Sequence, residues 1–242
     1  MNFSLEIGLK TNLNTLPSIK DVYITLLRGD QYKDVANKVK ELVAIGKNSV
    51  PHFPARSIKN KKELKEYVTM CKDFGVKQVL VIGGSEQPIG DFHCSLQLLE
   101  TGFFEGFKIG IAGHPEGSPD ISDSDLEKAM TDKKPYADYI VTQWLMEASP
   151  IIDFISKQTL PVHVVIAGPA KITSLLKFAS IVGAKNSLTF LKSNANKAVG
   201  LFKPRKPDEI VEKIKSVSKN FHIYTFGGLT ETNKWLLENN YA

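Results

Sequence analysis

The sequence predicts an α/β fold, a closed (β/α)8 TIM barrel, from three observations. Short β-branched runs alternate with longer amphipathic stretches over eight β–α steps, and repeated β–α units require a parallel sheet with helices outside it. The run Gln78–Ile82 is apolar after its first residue, which is typical of a strand buried on both faces. The length of 242 residues matches a typical barrel of about 250, so we expect a single domain over residues 1–242.

The predicted strands are short runs rich in Val, Ile and Phe, and most of them end beside a Gly or a Pro. In chain order they are Phe3–Ile7, Asp21–Leu26, Ser49–Phe53, Gln78–Ile82, Phe107–Ala112, Tyr139–Gln143, Val162–Ala167 and Phe221–Phe226.

The segments between the strands have apolar residues at helical spacing. The predicted helices are Tyr32–Ile45, Lys61–Phe74, Phe92–Thr101, Asp123–Lys134, Ala148–Gln158, Lys171–Val182, Asn186–Ala198, Pro207–Val217 and Glu231–Asn239. Ser122 is placed to cap the fourth of these helices, because a serine hydroxyl accepts from a free backbone N–H. An open doubly wound sheet is the rival fold, but Ile7-Gly8-Leu9-Lys10 lacks its Gly-rich phosphate fingerprint.

Composition excludes several classes of protein. With 42% hydrophobic and 24% charged residues, the chain can bury a core and is not disordered. No apolar run approaches the roughly 20 residues that span a bilayer, and the N-terminus lacks the pattern of a signal peptide. Cys71 and Cys94 make neither a disulfide framework nor a zinc cluster. We therefore expect a soluble cytoplasmic protein with no membrane partner.

The chain is basic, with a net charge of +5. Its lysines are spread over segments such as 59–65, 128–134 and 203–206, without interleaved aromatic residues, so we expect no nucleic-acid partner. The cation excess is interpreted as solvated helix faces, or else as attraction for phosphate or carboxylate groups of a small ligand.

Polar residues or glycines lie at, or just after, the carboxyl ends of most of the predicted strands. In a barrel the chemistry lies at the carboxyl ends of the strands, so these residues predict a site at one mouth. Any one of them could instead satisfy loop backbone or cap the next helix. They are Glu6, Thr25, His52, the turn Gly83-Gly84-Ser85-Glu86, His114 with Glu116, Gln143, Gly168 and Thr225.

Glu6 ends the first strand. Partial burial would raise its pKa and make it a proton donor near neutral pH, whereas an ion pair with a neighbouring lysine is the alternative. Gln143 has an amide that both donates and accepts, which suits the edge of a heterocycle. Gly83 and Gly84 let the backbone approach a flat or charged ligand, or they form a simple tight turn.

Two of the histidines are candidates for chemistry. His52 and His114 could act as acid/base groups or as metal ligands, but no spacing resembles a metal site, so we expect no metal. His93, His163 and His222 lie within or beside apolar patterns and are interpreted as core or surface histidines.

Taken in order, several segments resemble the methylenetetrahydrofolate reductase family, and the match is collinear over nearly the whole chain. The most specific piece is Ala-Asp-Tyr-Ile-Val-Thr-Gln at 137–143. The other matching pieces are Phe-Ser-Leu-Glu at 3–6, Thr25, Val-Pro-His-Phe at 50–53, residues 75–84, Ile-Ala-Gly-His-Pro-Glu-Gly at 111–117, and Phe-His-Ile-Tyr-Thr at 221–225.

The resemblance implies a barrel that binds FAD at the strand carboxyl ends. NAD(P)H would reduce the flavin, and 5,10-methylenetetrahydrofolate would take the hydride to give 5-methyltetrahydrofolate. Glu6 would protonate N10 of the substrate and so open its five-membered ring. Gln143 and Glu86 would hold the folate. The residues that would line the flavin are Thr25, His52, Gly83, Gly84, Ser85, Phe92 and His114.

The sequence also departs from the family's pattern. The family's Arg-Gly-Asp turn reads Gly83-Gly84-Ser85, with Glu86 as a stand-in for the Asp. The basic pair that meets the FAD phosphates falls at Thr131 and Asp132, where Lys128, Lys133 or Lys134 would have to compensate.

Two alternatives therefore stay open beside a flavin-dependent reductase. One is a folate one-carbon enzyme that needs no flavin or depends on a partner protein, and that could run in the methyl-folate-oxidising direction. The other is a folate-binding barrel without catalysis. Whether the chain forms a homo-oligomer is also left open.

Overall fold

Eight parallel strands close into a barrel in the order β1 to β8, so the predicted TIM barrel is confirmed and the open sheet is excluded. The computed structural model describes residues 1–27, 29–84, 87–118, 121–171, 173–176 and 206–241. The strands are β1 (Asn2–Ile7), β2 (Asp21–Ile24), β3 (Asn48–Pro54), β4 (Gln78–Ile82), β5 (Lys108–Gly113), β6 (Tyr139–Thr142), β7 (Val162–Ala167) and β8 (Asn220–Tyr224).

The helices pack outside the barrel. Those described are α1 (Tyr32–Ala44), α2 (Lys61–Asp73), α3 (Ser95–Leu99), α4 (Asp123–Lys133), α5 (Ala148–Ser156), α6 (Asp208–Ile214) and α7 (Leu229–Glu238). Ser122 caps α4 as predicted, because its hydroxyl accepts from the backbone N–H of Asp125 at 3.2 Å. The predicted helices Lys171–Val182 and Asn186–Ala198 lie outside the described residues, apart from 171 and 173–176. No helix within the described ranges is long and apolar enough to cross a membrane.

Local contacts explain why the start of α3 and the end of β8 differ from the prediction. The helix α3 begins at Ser95 rather than Phe92, because the Gln97 side chain accepts from the backbone of His93 and Cys94 and holds them outside the helix. The strand β8 ends at Tyr224, because Phe226 has a positive φ of 49°, which is incompatible with an extended strand.

Alternation along each strand separates two apolar layers. Leu5, Phe221 and Ile223 belong to the larger core between the strands and the helices. A smaller cluster, which includes Tyr23 and Tyr139, fills the inside of the barrel. Successive side chains of a strand point to opposite faces, so the polar residues that alternate with Leu5, Phe221 and Ile223 point into the barrel.

The barrel interior contains buried polar groups that satisfy one another. Gln78 donates from Nε2 to the Tyr23 hydroxyl at 3.1 Å. The Tyr23 hydroxyl donates to the Tyr139 hydroxyl at 3.2 Å, which donates to the Val79 carbonyl at 3.1 Å. This network stabilises the interior without an unpaired hydroxyl among these residues.

Candidate active site

Glu6 lies inside the barrel at the seam between β1 and β8. The register of these strands pairs Ser4 with His222 and Glu6 with Tyr224. All four side chains lie on the inner face, because they alternate with residues of the outer core. Closure of the sheet, which makes the first and last strands neighbours, therefore brings together residues more than 200 positions apart in the sequence.

Two histidines contact the same oxygen of Glu6. The Nε2 atom of His222 lies 3.3 Å from Glu6 Oε2, and the Nε2 atom of His52, on β3, lies 3.5 Å from it. His222 is fully buried and His52 nearly so, while the Glu6 side chain keeps 17% of its surface exposed. We call Glu6, His52, His222 and Ser4 the Glu6 cluster.

Burial sets the charge state of this cluster. Desolvation raises the pKa of Glu6 to about 7, against the lowering influence of His52. Desolvation also lowers the pKa of His52 to about 4 and that of His222 to about 3. Both imidazoles are therefore neutral at pH 7, so neither forms an ion pair with Glu6. His222 Nε2 lies within hydrogen-bond distance of Oε2, whereas the buried Nε2 of His52 has no hydrogen-bond partner among the described residues.

The environment of Glu6 matches one of the two sequence interpretations. Among the described residues, its charged or titratable contacts are the two histidines, and a lysine is not among them. Tyr224 lies close enough that the Glu6 charge adds to desolvation in raising the pKa of its hydroxyl well above the usual value. A carboxyl group that is half protonated near neutral pH can donate a proton to a bound ligand.

Gln143 follows β6 and lies beside the loop after β5. Its backbone N–H donates to the Gly113 carbonyl at 2.8 Å, and its Oε1 accepts from the Glu116 backbone N–H at 3.4 Å. No acceptor for its Nε2 donors lies within the described ranges, nor does any contact there join it to Glu6. The amide is half-buried, so its N–H donors are the groups that can meet a ligand.

Thr25 and His114 follow β2 and β5. The Thr25 backbone N–H donates to the Ile7 carbonyl at 3.2 Å, which places Thr25 beside the end of β1. Desolvation, with a smaller contribution from Lys133, lowers the pKa of His114 to about 4, so this imidazole is also neutral. Their predicted roles in lining a flavin stay predictions.

The Gly83-Gly84 segment, after β4, is held by Arg56. The Arg56 backbone N–H donates to the Gly83 carbonyl at 3.0 Å, and its Nη1 donates to the Gly84 carbonyl at 3.2 Å. Gly84 has a φ of +88°, in the left-handed region that favours glycine, whereas nothing lies within 4 Å of a Cβ built on Gly83. The tight turn and the close approach of this backbone to a ligand both stay predictions, and open space remains beside Gly83.

Phe92 is not part of the Glu6 cluster. It is 7% exposed and packs in the core between strands and helices, so its role beside a flavin stays a prediction. Ser85, predicted to line the flavin, and Glu86, predicted to hold the folate, lie outside the described residues.

His222 is a member of the site that the sequence pattern did not predict. It was interpreted as a core or surface histidine, and it is indeed fully buried, but its ring contacts Glu6. The available signal was strand alternation combined with barrel closure, which places an inward residue of the last strand beside the first strand.

A cavity of about 550 Å³ opens between the β6–α5 loop, the end of β7 and α6. Its lining includes Trp144, Met146, Ile152, Ala167 and Ile210. A series of aromatic contacts runs from this wall toward the Glu6 cluster: Trp144 lies against Phe226, Phe226 against Tyr224, and Tyr224 against His222, at centroid distances of 5.7, 6.3 and 5.4 Å. The cavity is thus on the same side of the barrel interior as Tyr224.

Two of the three lysines at the predicted position for FAD phosphates, Lys128 and Lys133, are engaged within the protein. Asp132 accepts from Lys128 Nζ at 2.6 Å, so this lysine is already paired. The Thr131 hydroxyl donates to the Glu127 carbonyl at 2.9 Å. Lys133 is buried, and its Nζ donates to the Ala112 carbonyl at 3.4 Å. A cluster of three or more His, Cys, Asp or Glu side chains suited to a metal is also absent from the described part of the chain.

Comparison with solved structures places the fold among known barrels, whereas no protein-family model matches the chain. An uncharacterized protein from Clostridium thermocellum that binds two copies of 5-methyl-5,6,7,8-tetrahydrofolic acid aligns with a TM-score of 0.64 and 13% identity, over 99% of this chain and 94% of that chain. Oxaloacetate acetylhydrolase aligns with a TM-score of 0.59 and 9% identity, over 98% and 79%. A tryptophan synthase α-subunit from Pyrococcus furiosus aligns with a TM-score of 0.53 and 12% identity, over 99% and 96%. At these identities the likeness shows the barrel fold and nothing finer.

Proposed function

We propose that this barrel binds a reduced folate and reduces 5,10-methylenetetrahydrofolate to 5-methyltetrahydrofolate, with Glu6 as the general acid. The observation that supports this best is the carboxyl group of Glu6, which is half-buried beside two neutral histidines and has its pKa raised to about 7. The resemblance of the strand segments to methylenetetrahydrofolate reductases adds support. So does the methyltetrahydrofolate bound by the Clostridium thermocellum barrel.

The proposed reaction needs one proton and one hydride. Glu6 donates its proton to N10 of the folate, the bond between the methylene carbon and N10 breaks, and the electron pair of that bond remains on N10. The resulting iminium at N5 accepts a hydride, and thus two electrons, to form the methyl group, while NAD(P)H is oxidised to NAD(P)⁺. A donor whose pKa lies near the operating pH is both sufficiently protonated and sufficiently acidic for this step.

Two further features of the described residues suit a folate. The Nε2 donors of Gln143 can meet acceptors on the edge of the pterin. The cavity of about 550 Å³ is within the size range of small-molecule sites, and its apolar wall with Trp144 suits the aromatic portion of the ligand.

FAD is implied by the family resemblance alone. When bound, it would relay the hydride between the nicotinamide and the folate. Lys128 is paired with Asp132 where the FAD phosphates would lie, so the proposed reaction is written without a flavin step. The proposal requires only a two-electron hydride donor, and NAD(P)H supplies one.

The test compares binding with turnover in the purified protein. Calorimetry with 5-methyltetrahydrofolate should show binding, and NADH or NADPH oxidation should depend on methylenetetrahydrofolate, both with and without added FAD. Glu6→Gln should lower turnover about 100-fold or more while it keeps folate binding. Full turnover in Glu6→Gln, or no folate binding by the parent protein, contradicts the proposal.

A second candidate is a folate-binding barrel without catalysis. It is favoured by the neighbour from Clostridium thermocellum, whose described property is the binding of two folates. The same experiment separates the two, because this candidate predicts folate binding with no oxidation of either nicotinamide.

A further inference from the structure

We propose that Ser4 and His222 form a positioning pair that holds the acidic proton of Glu6 on Oε1, the carboxyl oxygen that neither histidine contacts. The inference deepens the proposed function, since it assigns the atom from which the proton leaves. It concerns the hydrogen bonds of Glu6 itself, and these can be measured without any folate.

The His222 ring bridges two residues of the neighbouring strand. Its Nδ1 lies 2.9 Å from Ser4 Oγ, and its Nε2 lies 3.3 Å from Glu6 Oε2. Ser4 is also 3.3 Å from the Phe221 carbonyl, to which its hydroxyl can donate. His222 and Ser4 are both buried, so each of their polar atoms must find its partner inside the protein.

A neutral imidazole has one N–H, and this leaves two arrangements. In the first, the Ser4 hydroxyl donates to His222 Nδ1, and Nε2–H donates to Glu6 Oε2. In the second, Nδ1–H donates to Ser4, the Ser4 hydroxyl donates to Phe221, and the bare Nε2 faces Oε2. The second arrangement is stable only while Oε2 bears the proton, because a lone pair against a carboxylate oxygen is repulsive.

The first arrangement serves Glu6 in both of its protonation states. Oε2 accepts from Nε2–H whether it belongs to a carboxylate or is the carbonyl oxygen of the neutral acid. It also directs the Ser4 hydroxyl to the shorter of its two contacts, 2.9 Å against 3.3 Å. A general acid alternates between these two states, so the arrangement that tolerates both is the one we assign.

The other groups around Glu6 leave the same oxygen for the ligand. His52 Nε2, from β3, lies 3.5 Å from the same Oε2 but makes no hydrogen bond to it, so His222 supplies the hydrogen bond that Oε2 has among the described residues. Tyr224, from β8, lies within electrostatic reach of the carboxylate, and Tyr23, from β2, packs against the His222 ring at a centroid distance of 4.3 Å. Within the described residues Oε1 has no hydrogen-bond partner, so a proton on Oε1 is the one that can pass to a ligand.

The tautomer of His222 is the direct test. Nitrogen-15 NMR of histidine-labelled protein at pH 7 separates a protonated ring nitrogen from a bare one, and comparison with His222→Gln assigns the signal. We expect a neutral ring with Nε2 protonated and Nδ1 bare. A ring protonated at Nδ1 instead, or at both nitrogens, overturns the proposal.

Matched amide variants test what the pair does for Glu6. In His222→Gln the longer amide can place an N–H near Oε2, whereas in His222→Asn the shorter amide reaches only toward Ser4. Carbon-13 NMR of the Glu6 carboxyl should show its pKa raised by about one to two units in His222→Asn, because a hydrogen bond to the carboxylate is lost. Ser4→Ala should change the pKa in the same direction by less, and His222→Gln should keep it near the parent value.

A half-buried histidine elsewhere in the barrel is the control. His163, on β7, packs against Tyr139 at a centroid distance of 4.6 Å and has no contact with Glu6 among the described residues, so His163→Asn should leave the Glu6 pKa unchanged. If the Glu6 pKa changes equally in His222→Gln and His222→Asn, or changes in neither, the proposed positioning role of Ser4 and His222 is overturned. If these results hold while the parent protein reduces no folate, the proposed function fails and the positioning pair stands.

Discussion

Glu6 Oε2 and His222 Nε2 lie 3.3 Å apart across the seam where the last strand of the barrel meets the first. His222 is fully buried with a pKa lowered to about 3, so it offers Glu6 a neutral hydrogen bond instead of a positive charge. A positive charge at this distance would lower the pKa of Glu6, whereas the neutral ring lets burial raise it. The protonation state of the candidate acid thus depends on its neighbour's lack of charge.

The rate of folate reduction should fall as the pH rises through about 7. The pKa of Glu6 is raised to about 7, and only its protonated form can donate to N10. The measurement is kcat/KM for methylenetetrahydrofolate against pH. The decrease in kcat/KM above about pH 7 should be absent in Glu6→Gln. If the decrease survives this substitution, it belongs to another group.

Glu6→Gln should also change how stability depends on pH. Because the folded pKa of Glu6 is raised from 4.5 to about 7, its stabilising contribution is fully present below pH 4.5 and is lost as the pH rises through about 7. Gln does not titrate. Urea unfolding should therefore show Glu6→Gln gaining on the parent protein by up to about 3 kcal/mol between pH 4.5 and pH 8. A constant difference across this range would show that Glu6 is not desolvated.

Acid should destabilise the fold through the histidines. The folded pKa values of His52 and His222 are lowered from 6.5 to about 4 and about 3, so their contribution is present above pH 6.5 and is lost as the pH falls through these values. In the Glu6→Gln background, where the opposing titration of Glu6 is removed, thermal unfolding from pH 7 to pH 4 should show a falling Tm. His222→Gln should reduce the change of Tm with pH, whereas substitution of the exposed His93 by Gln should leave that change as it is in the comparison protein.

Gly84→Ala should destabilise the segment after β4. The φ of +88° costs a residue with a Cβ about 1–2 kcal/mol, and the new Cβ would lie 3.5 Å from Pro54 Cβ. Gly83→Ala is the matched control, since its Cβ would meet nothing within 4 Å, and we expect a change within about 0.5 kcal/mol. Chemical denaturation of both variants measures the difference, and equal losses would contradict the strain argument.

Gln143→Leu should weaken folate binding about tenfold or more. The substitution removes the Nε2 donors proposed to meet the pterin and also the acceptor for the Glu116 backbone N–H. Gln143→Glu separates these effects, because it keeps the acceptor and loses the donors. Calorimetry with 5-methyltetrahydrofolate should find both variants weakened, and normal affinity in Gln143→Glu would exclude the donors from recognition.

Local patterns were enough to predict most of the fold. The alternation of β-branched runs with amphipathic segments placed eight strands within two residues of their observed ends, and Ser122 was identified as a helix cap from residue type alone. The ends of α3 and β8 were misplaced, because the Gln97 side chain and the positive φ of Phe226 override the periodic pattern there.

The site was predicted only in part. Glu6 and His52 were predicted to lie at the mouth from their positions on strands, and they do lie together. The fastening of the Gly83-Gly84 segment by Arg56 and the pairing of Lys128 with Asp132 depend on side-chain conformations that spacing does not reveal. The role of His222 was missed because the pattern around it is that of an ordinary buried strand.

What the sequence by itself determined is the order of strands and helices, the barrel that this order requires, and a carboxylate on the inner face of the first strand. These follow from periodicity and chain connectivity, which are local properties. The tertiary structure alone decided that Ser4, Glu6 and His222 meet, that burial leaves the histidine neutral, and that the carboxyl is half protonated near pH 7. Closing the sheet brings the two ends of the chain into contact and excludes water from them, and no local pattern specifies either effect.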